Sequence, residues 1–268
     1  MQHLHKSSFY QSNDQFWSDG GYGGQTDDEM MVGDEGAIED GEEGLAFLDR
    51  YLAGEGQRQR QRSISPVKLL PTHNAVDAGA GVGRLTKFIL LKRYDAVRLV
   101  EADDALSKRS RTYLGHKRAK RCTFTCARLE SLSLQEDAAF GWADAARPRY
   151  GSNKDKSGRS GTGGSGGTDL VWLQWTLQYL TDADAVQALR SLSSSLVPGT
   201  GVMIVKENRP YGSARHDRFQ MDTPKVSGRY DITRTDDHHR LLFDMAGLAV
   251  DLTEEGVETN TYALIIKT

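Results

Sequence analysis

The chain has 268 residues, with 34 Lys plus Arg against 37 Asp plus Glu and a formal net charge of −3, a balance that excludes general electrostatic attraction to a polyanion as the default role. Hydrophobic residues make up 38% of the chain and there are 28 glycines, which fits one α/β core diluted by loops rather than two full domains. A domain of this size buries roughly 70–75% of the surface its unfolded chain exposes, so it needs no disulfide or structural metal.

Lys6 is the last basic residue before Arg50. Between them runs an acidic stretch, Asp27, Asp28, Glu29, Asp34, Glu35, Glu39, Asp40, Glu42 and Glu43, which reads mostly as solvated loop. Ahead of it, FYQSNDQFW places Phe9, Phe16 and Trp17 at a spacing that shares one face of a short helix. In EEGLAFLDRYL, Leu45, Leu48 and Leu52 with Phe47 and Tyr51 form a helical stripe that should cover the sheet. GEGQRQRQRSISP then reads as a basic surface loop.

HNAVDA, RLTKFILLKRY, AVRLVEA, DALSKRSRTYLG and RCTFTCARL alternate strand and helix signals, which predicts parallel strands joined by helical crossovers. Cys122 and Cys126 lie on the last of these strands, their Cα atoms about 13 Å apart and so beyond disulfide reach. RPRYGSNKDKSGRSGTGGSGGT has almost no apolar content and reads as a flexible excursion, placed at 147–168. The strand DLVWLQW follows, then the helix TDADAVQALRSLSSSL, capped by Thr181 or Asp182, and the strand GVMIVKE. The helix DDHHRLLFDMAG precedes two strands, GLAVDLTEEG and TNTYALIIKT, whose short connection predicts an antiparallel pair. No metal-ligand spacing, signal-peptide pattern or membrane-length apolar run appears. The expectation is a reduced protein of the cytoplasm, the nucleus or both, monomeric, with no metal and no membrane partner.

The strongest local signal is VDAGAGVGRLTKFIL, where an apolar strand runs through Asp77 into Gly79, Gly81 and Gly83 and straight into a helix. Glycines at such a turn admit a ligand close to the backbone, and free amides at the helix start can receive a carboxylate or phosphate. Glu101, at the end of the next strand in RLVEAD, is placed to accept both ribose hydroxyls of a nucleoside. A dinucleotide prefers G-x-G-x-x-G, whereas here Gly83 is followed by Arg84. This spacing and the paired final strands resemble the class I, Rossmann-like methyltransferase fold, a seven-stranded sheet with an antiparallel C-terminal strand that uses S-adenosylmethionine.

DAGAGVGRLTKFILL, WLQWTLQYLTD and VKEN resemble, in order and spacing, segments of the protein N-terminal (α-amino) methyltransferases. QFW and TDDEMMVGD are more distantly similar to that family's N-terminal elements. The resemblance implies an α/β domain over 57–268 with a helical and loop extension, 1–56, covering the active site. It also implies transfer of methyl groups from S-adenosylmethionine, leaving S-adenosylhomocysteine, to the free α-amine of proteins beginning Xaa-Pro-Lys. By position, Asp77, Gly79, Gly81 and Arg84 would hold the methionine portion, with Gln174 beside it. Glu101, Ala102 and Asp103 would lie at the ribose, and Leu129 and Glu130 would flank the adenine. Trp17, Trp175, Asn208 and Asp217 would contact the peptide, and Tyr179, Asn208, Asp222 and Asp231 would line the reacting amine.

Two departures stand out. Where the family has Trp-x-x-x-His-Leu-Thr-Asp, this chain has Tyr179 in place of the His. RYDITRTDD replaces the family's Asp-Ser-Ser-x-x-Arg pattern, so Asp217, Asp222 and Asp231 are only loose counterparts of the acidic residues in its loop after Asn208. The resemblance implies that the loop 208–231 and the acidic N-terminal region line an electronegative channel for a Lys-bearing peptide terminus, with carboxylates recognising that Lys. Trp172 and Trp175 also fit a buried strand, Arg84 a helix surface and Asn208 a strand-end turn. A different amine acceptor, or a cofactor-binding protein without turnover, are the competing readings. RQRQR and SKRSRTYLGHKRAKR read as solvated faces, and nucleic acid is not expected as a partner.

Overall fold

The computed structural model describes residues 6–20, 27, 33–56, 70–132, 167–211, 219–256 and 258–267. Two helices, α1 (Lys6–Ser18) and α2 (Gly33–Leu52), precede the strands. Next come β1 (Asn74–Ala78), α3 (Arg84–Phe88), β2 (Ala96–Glu101), α4 (Asp104–Ala119) and β3 (Cys122–Cys126). The chain continues through β4 (Leu170–Gln174), α5 (Asp182–Ser193) and β5 (Val202–Asn208). It ends with β6 (Phe219–Asp222), α6 (Pro224–Ser227), β7 (Asp231–Arg234), α7 (Asp236–Met245), β8 (Leu248–Glu255) and β9 (Thr259–Ile266).

Seven strands form one sheet in the order β3-β2-β1-β4-β5-β9-β8. The first five pair in parallel, while β9 runs antiparallel to both β5 and β8. The β-period sends alternate residues to opposite faces. Thus Val76, Val171 and Leu173 pack with Leu189 and Leu192 of α5 and Leu242 and Phe243 of α7. Ala75, Leu170 and Trp172 pack with Phe47, Leu48 and Tyr51 of α2 and with Leu85 of α3. Covering both faces explains why the central strands read as continuous apolar runs.

Three expectations need correction. The acidic stretch is not all loop, because its second half is built into the twenty-residue helix α2. The apolar stripe at its C-terminal end packs on the sheet through Phe47, Leu48 and Tyr51. The segment 208–231, expected as one loop, carries β6 and α6, and β7 begins at Asp231; β6 and β7 pair as a separate two-stranded sheet. Its anchor is Arg234, 1% exposed, whose guanidinium donates to the carbonyls of Leu177 at 2.8 Å and Leu180 at 2.7 Å and to Asp182 at 2.9 Å. RLTKFILLKRY is not one helix: α3 stops at Phe88, and a 3-10 turn follows over Leu90–Lys92. Thr181, rather than Asp182, caps α5, accepting from the Asp184 amide.

Candidate active site

The C-terminal ends of β1, β2 and β4 open onto one cleft, where ligands of open α/β sheets bind. Asp77, Gly79, Gly81, Arg84, Glu101, Ala102, Leu129, Glu130, Gln174, Trp17, Trp175 and Tyr179 all line it. Tyr10, Asn13 and Asp14 of α1 close it from above together with Arg128, and Thr176 and Leu180 complete the wall. No local pattern in the sequence singled these out, since they meet only when α1 crosses the strand ends.

The glycine turn is built for close packing rather than for an anion. Gly79 has φ +78°, and a Cβ there would collide with the Thr176 side chain. The amides of Gly79 and Ala80 donate to the Val100 carbonyl at 2.9 and 3.0 Å, and that of Gly83 donates to Ala80 at 2.8 Å. Gly81 donates to Glu101 Oε2 at 2.7 Å, and Asp103 donates to Glu101 Oε1 at 2.9 Å. The expectation of free amides at this turn is therefore wrong for these four glycine-loop amides. Asp77 instead receives the amide and hydroxyl of Thr86, at 3.1 and 2.6 Å, fixing the start of α3. Burial, against those two hydrogen bonds, pushes its carboxyl up to about 6. Burial also raises Glu101. The Ala102 amide also bonds this carboxylate; three backbone donors on a group with about four lone-pair sites still leave it able to accept a hydroxyl.

Asp103 does not line the cleft. It caps α4, accepting from Leu106 at 2.8 Å, and receives Ser18 Oγ of α1 at 3.0 Å. Across the cleft Arg128 joins Asp14 at 2.8 Å to Glu130 at 2.5 Å. These contacts and the 2.6 Å bond from Tyr10 to Asp184 hold α1 over the opening.

At the β4 and β5 ends lies a buried charge cluster that the sequence did not reveal. Asp40, only 8% exposed, accepts from Arg84 at 2.5 Å, Lys206 at 2.8 Å and Gln174 at 2.8 Å. Burial alone would raise the Asp40 carboxyl, but Arg84 and Lys206 outweigh it and hold it below the ordinary range. Arg84 also lies 5.3 Å over the Trp175 ring. Trp175 has φ +51°, a left-handed conformation that costs a bulky side chain energy and is maintained by its surroundings. Its amide donates to the Lys206 carbonyl at 2.9 Å. The next two amides, of Thr176 and Leu177, both donate to Glu207 Oε1 at 2.8 Å. Burial pushes Glu207 up to about 7. Glu207 thus fixes the turn that presents Trp175, a role hidden inside VKEN.

Tyr179 meets Trp17 edge to face at 5.2 Å and accepts from Gln178 Nε2 at 2.8 Å. Gln178 Oε1 in turn accepts from Asn208 Nδ2 at 3.2 Å, so Asn208 reaches the cleft through Gln178 rather than lining it. Burial, reinforced by Asp231, raises the Tyr179 phenol well above its ordinary value, leaving it protonated at neutral pH. Asp222 and Asp231 face each other across β6 and β7, away from the cleft lining. Asp231 is pushed up to about 6 by burial, resisted by Arg229 and reinforced by Asp222. Asp217, the segment 57–69 and all of 147–168 except Gly167 and Thr168 lie outside the described residues.

Two buried polar atoms on the cleft wall, Gln174 Oε1 and Trp175 Nε1, have no partner among the described residues. An acceptor, a donor, a guanidinium and a strand-end carboxylate around one cleft fit a ligand with a zwitterionic end and a ribose. Comparison with known proteins agrees. Residues 5–140 and 162–263 match the family described as AdoMet dependent proline di-methyltransferase, AdoMet being S-adenosylmethionine. N-terminal Xaa-Pro-Lys N-methyltransferase 1 of Danio rerio is 30% identical over 208 residues, 77% of this chain and 73% of that protein. Its counterpart in Xenopus tropicalis is 27% identical over 204 residues, 76% and 69% of the two chains. A SAM-dependent methyltransferase structure from Leishmania major superposes with a TM-score of 0.53 at 25% identity, covering 85% of this chain and 76% of its own. The glycopeptide N-methyltransferase MtfA complexed with S-adenosylmethionine shares the fold, with a TM-score of 0.52 at 13% identity over 80% of this chain and 94% of its own. The chain is an S-adenosylmethionine-dependent methyltransferase and belongs to the AdoMet dependent proline di-methyltransferase family.

Proposed function

We propose that this enzyme methylates the free α-amine of protein N-termini of the Xaa-Pro-Lys class. The carrying observation is the aromatic wall of Trp17, Tyr179 and Trp175 beside the glycine turn and Glu101. Flat aromatic faces suit a proline ring, and their position brings the residue ahead of that proline to the cofactor cleft. The names of the relatives support the same acceptor.

The bound cofactor supplies an activated methyl group on a sulfonium that is a good leaving group. The chain supplies positions. Arg84, Gln174, Asp77, Gly79 and Gly81 hold the methionine portion, Glu101 and Ala102 the ribose, Leu129 and Glu130 the adenine. Asp103 acts one step back, by fixing Glu101 and α4. Trp17 and Trp175 hold the peptide, with Asn208 orienting Tyr179 through Gln178 and Asp217 as a further peptide-binding residue. Tyr179 shapes the amine pocket and does not act as the base. An α-amine titrates near pKa ~8, so a usable neutral fraction exists at physiological pH without a dedicated base. Asp231 and Asp222 lie behind the cleft lining, with Asp231 paired to Arg229, so they shape the electrostatics around Tyr179 and the released proton leaves to solvent. The extension 1–56 covers the site of the 57–268 domain, and the enzyme works as a soluble monomer in cytoplasm or nucleus.

The test is turnover with S-adenosylmethionine and Ala-Pro-Lys or Ser-Pro-Lys peptides, read by mass. Methyl increments on free but not acetylated N-termini are expected. Equal labelling of acetylated peptides would move the reaction to a side chain and overturn the assignment.

A further inference from the structure

Beside Tyr179 the protein has filled a cation-binding cage with its own cation. The Arg229 guanidinium lies 4.7 Å from the Phe16 ring and 5.5 Å from the Tyr179 ring, and its Nη2 is 3.4 Å from Asp231 Oδ2. Two aromatic faces and a carboxylate are the groups that recognise a basic side chain. Asp222 lies directly across the strand pair from Asp231. Arg229 is held in place from both sides. Gly228, in a left-handed conformation at φ +78°, brings the backbone against Phe16. The Tyr230 amide donates to Asn13 at 2.8 Å, while its ring stacks on Phe9 at 5.3 Å. The side chain is 19% exposed, and its buried Nε–H has no partner among the described residues. The guanidinium therefore neutralises Asp231 while retaining one donor.

We infer that Arg229 is a specificity-determining residue that takes the place of the acceptor's third-position Lys, so that this enzyme methylates Xaa-Pro N-termini with a neutral or acidic third residue as readily as those with Lys. The inference rests on the acceptor reading given above. A second cation brought to this cage meets repulsion from Arg229 instead of two open carboxylates. A neutral or acidic side chain meets no such repulsion from the guanidinium.

The test compares kcat/KM for Ala-Pro-Lys, Ala-Pro-Gln and Ala-Pro-Glu peptides in the wild-type protein and in Arg229→Gln, with cofactor binding and thermal melting measured on each. In wild type the Lys and Gln peptides should differ by less than about threefold. In Arg229→Gln the Lys peptide should gain on the other two by about tenfold, carried by KM, a change equal to about 1.4 kcal/mol. Arg229→Lys, which keeps a cation in the cage, should retain the wild-type ratios, and it serves as the folded comparison if Arg229→Gln melts early. Asp231→Asn should weaken the Lys peptide relative to the Glu peptide. A wild-type preference for Lys of tenfold or more overturns the inference, as does an unchanged ratio in Arg229→Gln. If the wild-type protein binds cofactor and methylates no free-amine peptide, the acceptor reading fails and this inference with it, a result separate from turnover with the wrong ratios.

Discussion

Removing Asp40 should both destabilise the protein and loosen its hold on the cofactor, and the two effects can be separated. The Lys206 side chain is 5% exposed, and after Asp40 its remaining partner is Glu43 at 3.2 Å, a side chain 73% exposed. Asp40→Ala therefore leaves a buried ammonium nearly uncompensated, which costs about 3–5 kcal/mol. Asp40→Asn keeps the shape and one accepting oxygen but no charge, and should cost about 2 kcal/mol, the scale of a hydrogen bond to a charged group. The apolar contacts of Phe47, Leu48 and Tyr51 keep α2 on the sheet, so the variant stays folded. Arg84 and Gln174, both on the cleft wall and both bonded to Asp40, lose their fixed orientation. Calorimetry with S-adenosylhomocysteine should then read an affinity loss of about tenfold, or about 1.4 kcal/mol. Urea unfolding measures the stability term. Pairing Asp40→Asn with Lys206→Met removes one of the two cations that Asp40 compensates, the other being Arg84, and should restore part of the stability without restoring cofactor affinity. Stability of Asp40→Ala within about 1 kcal/mol of wild type would refute the reasoning. Because the Asp40 carboxyl is depressed, its contribution is present above the ordinary value of 3.8 and is lost as pH falls through its lower folded value.

Other predictions address the remaining parts of the site. Glu207 titrates near 7 folded against 4.5 ordinarily, so the folded state binds the extra proton and this group's contribution to stability falls as pH rises through that window; Glu207→Gln should abolish the loss, the variant gaining about 3 kcal/mol on wild type between pH 4.5 and 8 in urea titrations. His239 runs the opposite way, since burial lowers it from 6.5 to about 3, and its contribution is lost as pH falls below 6.5, which is why the variant-minus-wild-type difference is the quantity to measure. Gly79→Ala meets Thr176 from a left-handed backbone and should abolish measurable cofactor binding in calorimetry while far-UV circular dichroism stays native. Tyr179→Phe keeps the ring against Trp17 and removes only the hydroxyl that accepts from Gln178; kcat should fall by less than about tenfold with an unshifted pH profile, whereas loss of a general base would cost about 10²–10⁴.

The order of elements was legible in the sequence because local patterns carry it. Alternating apolar runs and helical stripes mark β1 to β5 and α5 without any knowledge of the partner that covers them, and the short link between β8 and β9 dictates an antiparallel pair. The glycine turn, Glu101 and the WLQW and VKEN segments identified the cofactor, since each is a short stretch whose chemistry depends mainly on its own residues. Charge was where local reading failed. Asp40 looked like one more solvated carboxylate in an acidic run, and it is buried because residues 44 and 166 positions further along, Arg84 and Lys206, reach the same point. Likewise Asp222 and Asp231 looked like open receptors for a lysine until the pairing of β6 with β7 and the crossing of α1 brought Arg229 between Phe16, Tyr179 and Asp231. The sequence by itself determined the sheet, the cofactor class and the family, through periodicity and short motifs. Only the tertiary structure decided which charges are neutralised, because burial and pairing depend on distances between residues far apart in the chain.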